Sequence, residues 1–295
     1  MKLNRRSPLF FLLVLLTLLI PALTQAFVRG IYVTQSTLES TRTLKYLIDK
    51  AHASGIDTFV IDYYGTNKYT RANIQLVKNA GIHYVARIEM FPTGALPEQV
   101  DSQTYLARRH KQIMAAVGLG AEAIQLDYIR YRTTQRKSLS NEQDIYKVVK
   151  GVHDLLKGTN VALQIDIFGE AAEMHSTAIG QSGPAFAPAV AAICPMVYPS
   201  HYFPYAYHAV RPYETVYRSL SMLRQRLKDF PDVKIYAYIE LFNLRFPMSR
   251  ESKIKYILEE MRAVRDAQAD GWYAWSATNK YRLLFSIMES QGGKT

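Results

Sequence analysis

The sequence predicts a single (β/α)8 barrel of the α/β class, on three observations. Short apolar runs rich in Ile, Val, Tyr and Phe alternate eight times with charged stretches of helical periodicity. The 295 residues suffice for one barrel of about 250 residues and a leader. The first strand-to-helix turn reads Thr34-Gln35-Ser36-Thr37, without the glycines that an open dinucleotide-binding sheet needs there, and no Walker A motif occurs.

The leader comes first. Lys2, Arg5 and Arg6 precede a 12-residue apolar run, Leu9 to Ile20, broken only by Thr17. Pro21 and small residues ending Thr24-Gln25-Ala26 then make a cleavage site before Phe27. The run is short of the roughly 20 residues of a bilayer span. Residues 1–26 therefore read as a signal peptide and 27–295 as the barrel domain. The mature chain is expected in a periplasm or outside the cell, with no stable membrane span after cleavage; an uncleaved N-terminal anchor is the alternative.

The predicted strands are 29–34, 58–63, 83–89, 123–128, 161–168, 192–198, 234–240 and 271–275, most of them too apolar to be half exposed, as parallel strands under helices are. The predicted helices are 41–54, 70–80, 101–118, 141–157, 183–190, 212–229, 249–268 and 279–290. Leu44, Leu47, Ile48 and Ala51 share one helix face, as do Ile254, Ile257, Leu258 and Met261. Ser140 and Ser249 stand where N-caps belong. No linker or composition break divides the chain after residue 27.

Composition excludes several classes. With 48% hydrophobic and 12% aromatic residues the chain builds a core and is not disordered. One cysteine excludes disulfide scaffolds, zinc ribbons and iron–sulfur clusters. Without the leader, 33 Lys and Arg face 25 Asp and Glu, leaving +8. That charge suits solubility, and it also suits anionic surfaces such as an acidic polysaccharide. Export argues against nucleic acid.

Barrel enzymes place their sites at the C-terminal ends of the strands. Acids fall there repeatedly: Asp62, Glu89, Asp127, Asp166 and Glu240 end strands 2, 3, 4, 5 and 7. A buried acid is costly unless paired or used. Each alone suits a structural bond to a loop amide; five at one rim suggest chemistry. Gln125-Leu126-Asp127 and Gln164-Ile165-Asp166 repeat one pattern on neighbouring strands, so each Gln and Asp share a face while Leu126 and Ile165 turn to the helices. Two carboxyls in different environments, one protonated and one ionised, are what glycoside hydrolysis requires. Asp127 and Asp166 are the expected catalytic pair, with Glu240 the alternative acid. Arg130, shortly after Asp127, is placed to hold Asp127 ionised or to bind an anionic sugar group.

Other barrel chemistries lack their residues. Strand 1 has no His-x-His, and no G-x-S-x-G elbow occurs. His201 and His208 are the closest histidine pair, better suited to loop hydrogen bonds than to a metal, and Cys194 reads as core. No metal and no cofactor are expected. Tyr198, His201 and Tyr202 follow strand 6, and Trp275 ends strand 8; aromatic faces of this kind stack on sugar rings. Alternation turns Trp272 outward and Trp275 inward.

Four segments together resemble the successive motifs of the DUF4015 family of glycoside-hydrolase-type barrels. They are Ile124-Gln125-Leu126-Asp127-Tyr128-Ile129-Arg130-Tyr131, Asp166-Ile167-Phe168-Gly169, Pro195-Met196-Val197-Tyr198-Pro199-Ser200-His201-Tyr202, and Gly271-Trp272-Tyr273-Ala274-Trp275 with Asn279 and Tyr281. The resemblance runs from about Val28 to Tyr281 and implies a TIM barrel related to sugar-cleaving enzymes. This sequence departs from the family pattern at Ala191, where an acid is usual, and at Ala237-Tyr238-Ile239-Glu240-Leu241-Phe242, and its loop after strand 3 is short. The expectation is an exported glycosidase acting on a polysaccharide or oligosaccharide, an anionic one included. Asp62, Glu89, Gln125, Arg130, Tyr198, His201, Tyr202, Trp275 and Asn279 are the expected substrate-binding residues. A non-catalytic carbohydrate-binding barrel is the alternative.

Overall fold

A computed structural model describes residues 27–174 and 176–292. The expected signal peptide lies outside the described residues. Eight parallel strands close into one barrel in sequence order, each pairing with its neighbours and β8 returning to β1. They are β1 (Val28–Val33), β2 (Thr58–Asp62), β3 (His83–Glu89), β4 (Ala123–Asp127), β5 (Ala162–Phe168), β6 (Ala192–Met196), β7 (Lys234–Glu240) and β8 (Gly271–Trp275). The helices outside are α1 (Thr41–Ser54), α2 (Lys68–Asn79), α3 (Gln103–Gly118), α4 (Ser140–Leu156), α5 (Gly183–Phe186), α6 (Pro212–Arg226), α7 (Arg250–Asp266) and α8 (Arg282–Ser290). This is the predicted (β/α)8 barrel. No described helix is long and apolar enough to cross a membrane.

Local chemistry sets the boundaries. Gly55 ends α1 with φ 66°, a left-handed turn open to glycine at no steric cost. Asn67, Ser102 and Ser249 cap α2, α3 and α7 by accepting backbone N–H bonds. Ser140 differs from expectation: it is the first residue of α4, and its hydroxyl pairs with Ser138 at 2.8 Å. The helix predicted at 183–190 is one α-turn followed by a 3-10 turn, Ala187–Ala189, because Pro188 lacks the N–H to continue it. The last helix starts only at Arg282, since Asn279 adopts φ 51°.

Two apolar layers result. Leu126, Ile165 and Trp272 point outward and are buried under the helices. The interior is filled by tyrosines: Tyr32, Tyr236, Tyr238 and Tyr273, with Val60, Val85 and Cys194. Gly30 makes room for this, because a Cβ there would stand 2.5 Å from the Tyr273 ring. The tyrosine hydroxyls need partners when buried. Tyr238 donates to Gln125 Oε1 at 2.7 Å, Gln125 donates to Gln164 Oε1 at 3.0 Å, and Tyr273 donates to the same oxygen at 3.3 Å. This polar layer is the floor on which the rim residues stand.

Candidate active site

Strand register brings the acids together. Asp62 lies level with Arg87, Glu89 with Asp127, and Gln125 with Gln164, which puts Asp127 and Asp166 side by side above the glutamines. Arg87 stands at their centre. Its Nη1 donates to Asp62 and its Nη2 to Asp127, while its Nε lies 3.9 Å from Asp166 Oδ2 and Nη1 3.4 Å from Glu89. Tyr32 donates its hydroxyl to the other Asp62 oxygen. Periodicity does not single out Arg87; its one signal is a lone arginine at an inward position among Val85, Ala86 and Ile88.

The two expected catalytic carboxyls have different surroundings. Asp127 accepts from Arg87 and from the Tyr128 amide, the latter at 2.5 Å. Tyr128 takes φ 51°, the left-handed region that costs a non-glycine residue free energy and clusters at functional sites. Asp166 is fully buried and its Oδ1 has no hydrogen-bond partner. Burial pushes its carboxyl well above the usual range, and Asp127 and Asp62 add to this against the opposing pull of Arg87. Burial disfavours charge on Arg87, but Asp127, Asp62 and Asp166 outweigh it and hold the guanidinium charged.

Both carboxyls open onto a cavity of about 480 Å³ at the C-terminal end of the barrel. Its far wall is aromatic. Tyr198 stacks on Trp275 with centroids 5.5 Å apart and planes 21° apart, and Phe242 meets the Trp275 ring edge-on. His201 and Tyr202 line the same cavity, so the loop after β6 sits where the barrel rule puts it. Arg130 is on the wall, but it does not pair with Asp127. Its guanidinium packs over the Phe168 ring at 4.9 Å and the Tyr128 ring at 5.7 Å and donates to the Tyr131 carbonyl. Arg87, not Arg130, is the cation that donates to Asp127.

Several expected catalytic and binding residues do other work. Glu240 is fully buried and faces no part of the cavity. It accepts from Ser200 N at 2.9 Å, Ser200 Oγ at 2.8 Å and Tyr256 at 2.6 Å, tying the loop after β6 to α7, and so is not the alternative acid. Glu260 packs against it, and burial and then the Glu240 charge push the Glu260 carboxyl well up. Gln125 belongs to the polar floor. Asp62 and Glu89 balance Arg87 and take bonds from Tyr64 rather than lining the cavity. Asn279 accepts from Thr34 N at 3.0 Å and donates to the Tyr32 carbonyl at 3.1 Å, clasping β8 to β1. His208 lies 2.9 Å from Thr215 Oγ1, and among the described residues no cluster of His, Cys, Asp or Glu is arranged to hold a metal.

The DUF4015 family model, described as "Putative glycosyl hydrolase domain", matches residues 111–281. The chain belongs to this family. The matched stretch of this DUF4015 barrel runs from α3 to just before α8, so it holds Asp127, Asp166 and the aromatic wall, while Asp62 and Arg87 come from the strands before it. Solved structures with the same fold include the glycoside hydrolase domain of PgaB (BpsB) from Bordetella bronchiseptica, at 12% identity and TM-score 0.64 over 89% of this chain and 99% of that one. The endo-beta-1,4-mannanase of Thermotoga petrophila matches at 11% and 0.63 over 91% and 76%. A chitinase of Chromobacterium violaceum matches at 10% and 0.62 over 92% and 100%. No curated protein matches the chain.

Proposed function

We propose that this DUF4015 barrel is an exported glycoside hydrolase that cleaves a polysaccharide through the carboxyls of Asp127 and Asp166. The observation that carries the reading is that carboxyls from neighbouring strands face one cavity in different surroundings: Asp127 accepts from Arg87, while Asp166 is buried with an oxygen that has no hydrogen-bond partner. Asp166, kept protonated by burial, is the proton donor to the glycosidic oxygen. Asp127, which accepts from Arg87, acts on the anomeric carbon directly or through a water, according to the separation of the two carboxyls across the bound sugar. Tyr198 and Trp275 give the sugar ring an apolar face, and Arg130 and His201 offer donors to its hydroxyls. The family description and the names of the similarly folded chitinase and mannanase support a polysaccharide substrate. Export rests on the sequence of residues 1–26.

A sugar-binding barrel without catalysis is the second reading, and the observation favouring it is the direct Arg87 bond that occupies Asp127. One experiment separates them. Wild type, Asp127→Asn and Asp166→Asn are incubated with a glycan panel, and reducing ends and binding are both measured. Hydrolysis by wild type that each variant loses supports the enzyme. Binding without hydrolysis, retained by both variants, supports the binder.

A further inference from the structure

The aromatic wall of the cavity has a second side. Trp275 and His201 also border a separate recess of about 450 Å³, walled by Phe242, Leu244 and Leu283 and by Lys253 and Lys280. Lys253 and Leu283 in turn border a third recess of about 410 Å³ that adds Arg250 and Arg282. The three hollows therefore share walls in sequence, from Asp127 and Asp166, past Trp275, to a strip of four cations supplied by the loop after β8 and the first turns of α7 and α8.

Charge balance changes along this path. In the catalytic cavity each arginine has acids near it: Arg87 lies among Asp62, Asp127 and Asp166, and Glu170 shares the wall with Arg130. No aspartate or glutamate lines either outer recess. Lys253, Lys280, Arg250 and Arg282 make no ion pair among the described residues, although Arg250 has Glu251 next to it in sequence. Lys253 is half-buried and lines both outer recesses. Unpaired cations beside an aromatic surface suit a sugar ring that bears an acid: the rings take the apolar face, and the ammonium and guanidinium groups take the anion.

We propose that the two outer recesses form an accessory site for an acidic stretch of the glycan, binding a carboxylate- or phosphate-bearing sugar unit while the scissile bond lies over Asp127 and Asp166. The path to the scissile bond rests on the glycosidase reading above; the accessory site itself is a binding claim that does not need turnover.

Affinity electrophoresis tests it in gels containing polygalacturonate, phosphorylated dextran or neutral hydroxyethylcellulose. The proteins compared are wild type, the triple variant Lys253→Gln, Lys280→Gln, Arg282→Gln, and a control of equal charge, Arg42→Gln, Lys45→Gln, Arg71→Gln, on α1 and α2. Retardation of wild type by at least one acidic polymer, weakened by salt, is expected. The triple variant should bind that polymer about tenfold or more weakly, the low end of what a concentrated field does to local ligand concentration. The control should match wild type, and both variants should keep its thermal midpoint. The carboxylate and phosphate gels show which anion the site takes. Equal loss in the triple variant and the control would reduce the effect to net charge and overturn the proposal, as would wild type passing both acidic gels unretarded. Asp127→Asn should be retarded like wild type, because the accessory site does not include it; retardation of wild type with no hydrolysis by wild type refutes the glycosidase and leaves the site standing. Hydrolysis of neutral glycan alone, without retardation, does the reverse.

Discussion

Arg87 brings a single positive charge to four carboxyls, and its side chain is 10% exposed. Removing one partner of a buried ion cluster leaves charge uncompensated in a poorly solvated place. Arg87→Met should therefore destabilise the protein by about 3–5 kcal/mol, read as a lowered urea midpoint. A change within about 0.5 kcal/mol, the range of ordinary surface substitutions, would show that the cluster is solvated in solution. Asp166 gives a prediction in pH. Burial, with Asp127 behind it, raises this carboxyl in the folded state, so the fold keeps a proton that the unfolded chain releases above about pH 4. Stability from this group is complete below that pH and is lost as pH rises through the folded value. Asp166→Asn removes the titration, and its unfolding free energy should gain on wild type from about pH 4 upward. A difference that stays constant with pH would place Asp166 in water.

At the scale of elements, the loop after β6 and the end of β8 form one unit, because Tyr198 and Trp275 stack and Phe242 closes on their edge. Tyr198→Ala should weaken glycan binding by about 1–3 kcal/mol, the range for losing a buried stacking or hydrogen-bonding contact. The pH dependence of turnover should stay as in wild type, which a pH–rate profile checks. The eight strands were legible because parallel strands covered on both sides read as unbroken Ile, Val and Tyr runs. Asp127 and Asp166 were legible because alternation along neighbouring strands needs no knowledge of loops. Glu240 obeys the same alternation and still misses the cavity, since Ser200 and Tyr256 from other elements close over it. Gln125 faces inward as expected but lies one layer too deep, a height that periodicity does not encode. Arg87 was hidden for a related reason: its meaning comes from Asp62, Asp127 and Asp166 on three other strands, partners that only the register reveals.

For the whole molecule, closure of the barrel makes the last helix part of the core although the family match ends at Tyr281. Leu284, Phe285, Ile287 and Met288 of α8 are buried, at about 1.5–3 kcal/mol each. Their sum rivals the total stability of an ordinary domain. A chain ending at Tyr281 should therefore be insoluble or lack a cooperative thermal transition, and a truncated chain that melts like wild type would refute this. The proposed division of work between two carboxyls on one cavity predicts how the rate depends on the leaving group. Turnover of the natural glycan is compared with that of an activated aryl glycoside of the same sugar, whose leaving group needs no proton. Asp166→Asn should lose about 10²–10⁴-fold on the glycan and keep most of its rate on the aryl glycoside. Asp127→Asn should lose both. Equal losses of Asp166→Asn on the two substrates, or none on either, would contradict the assignment of Asp166 as the acid.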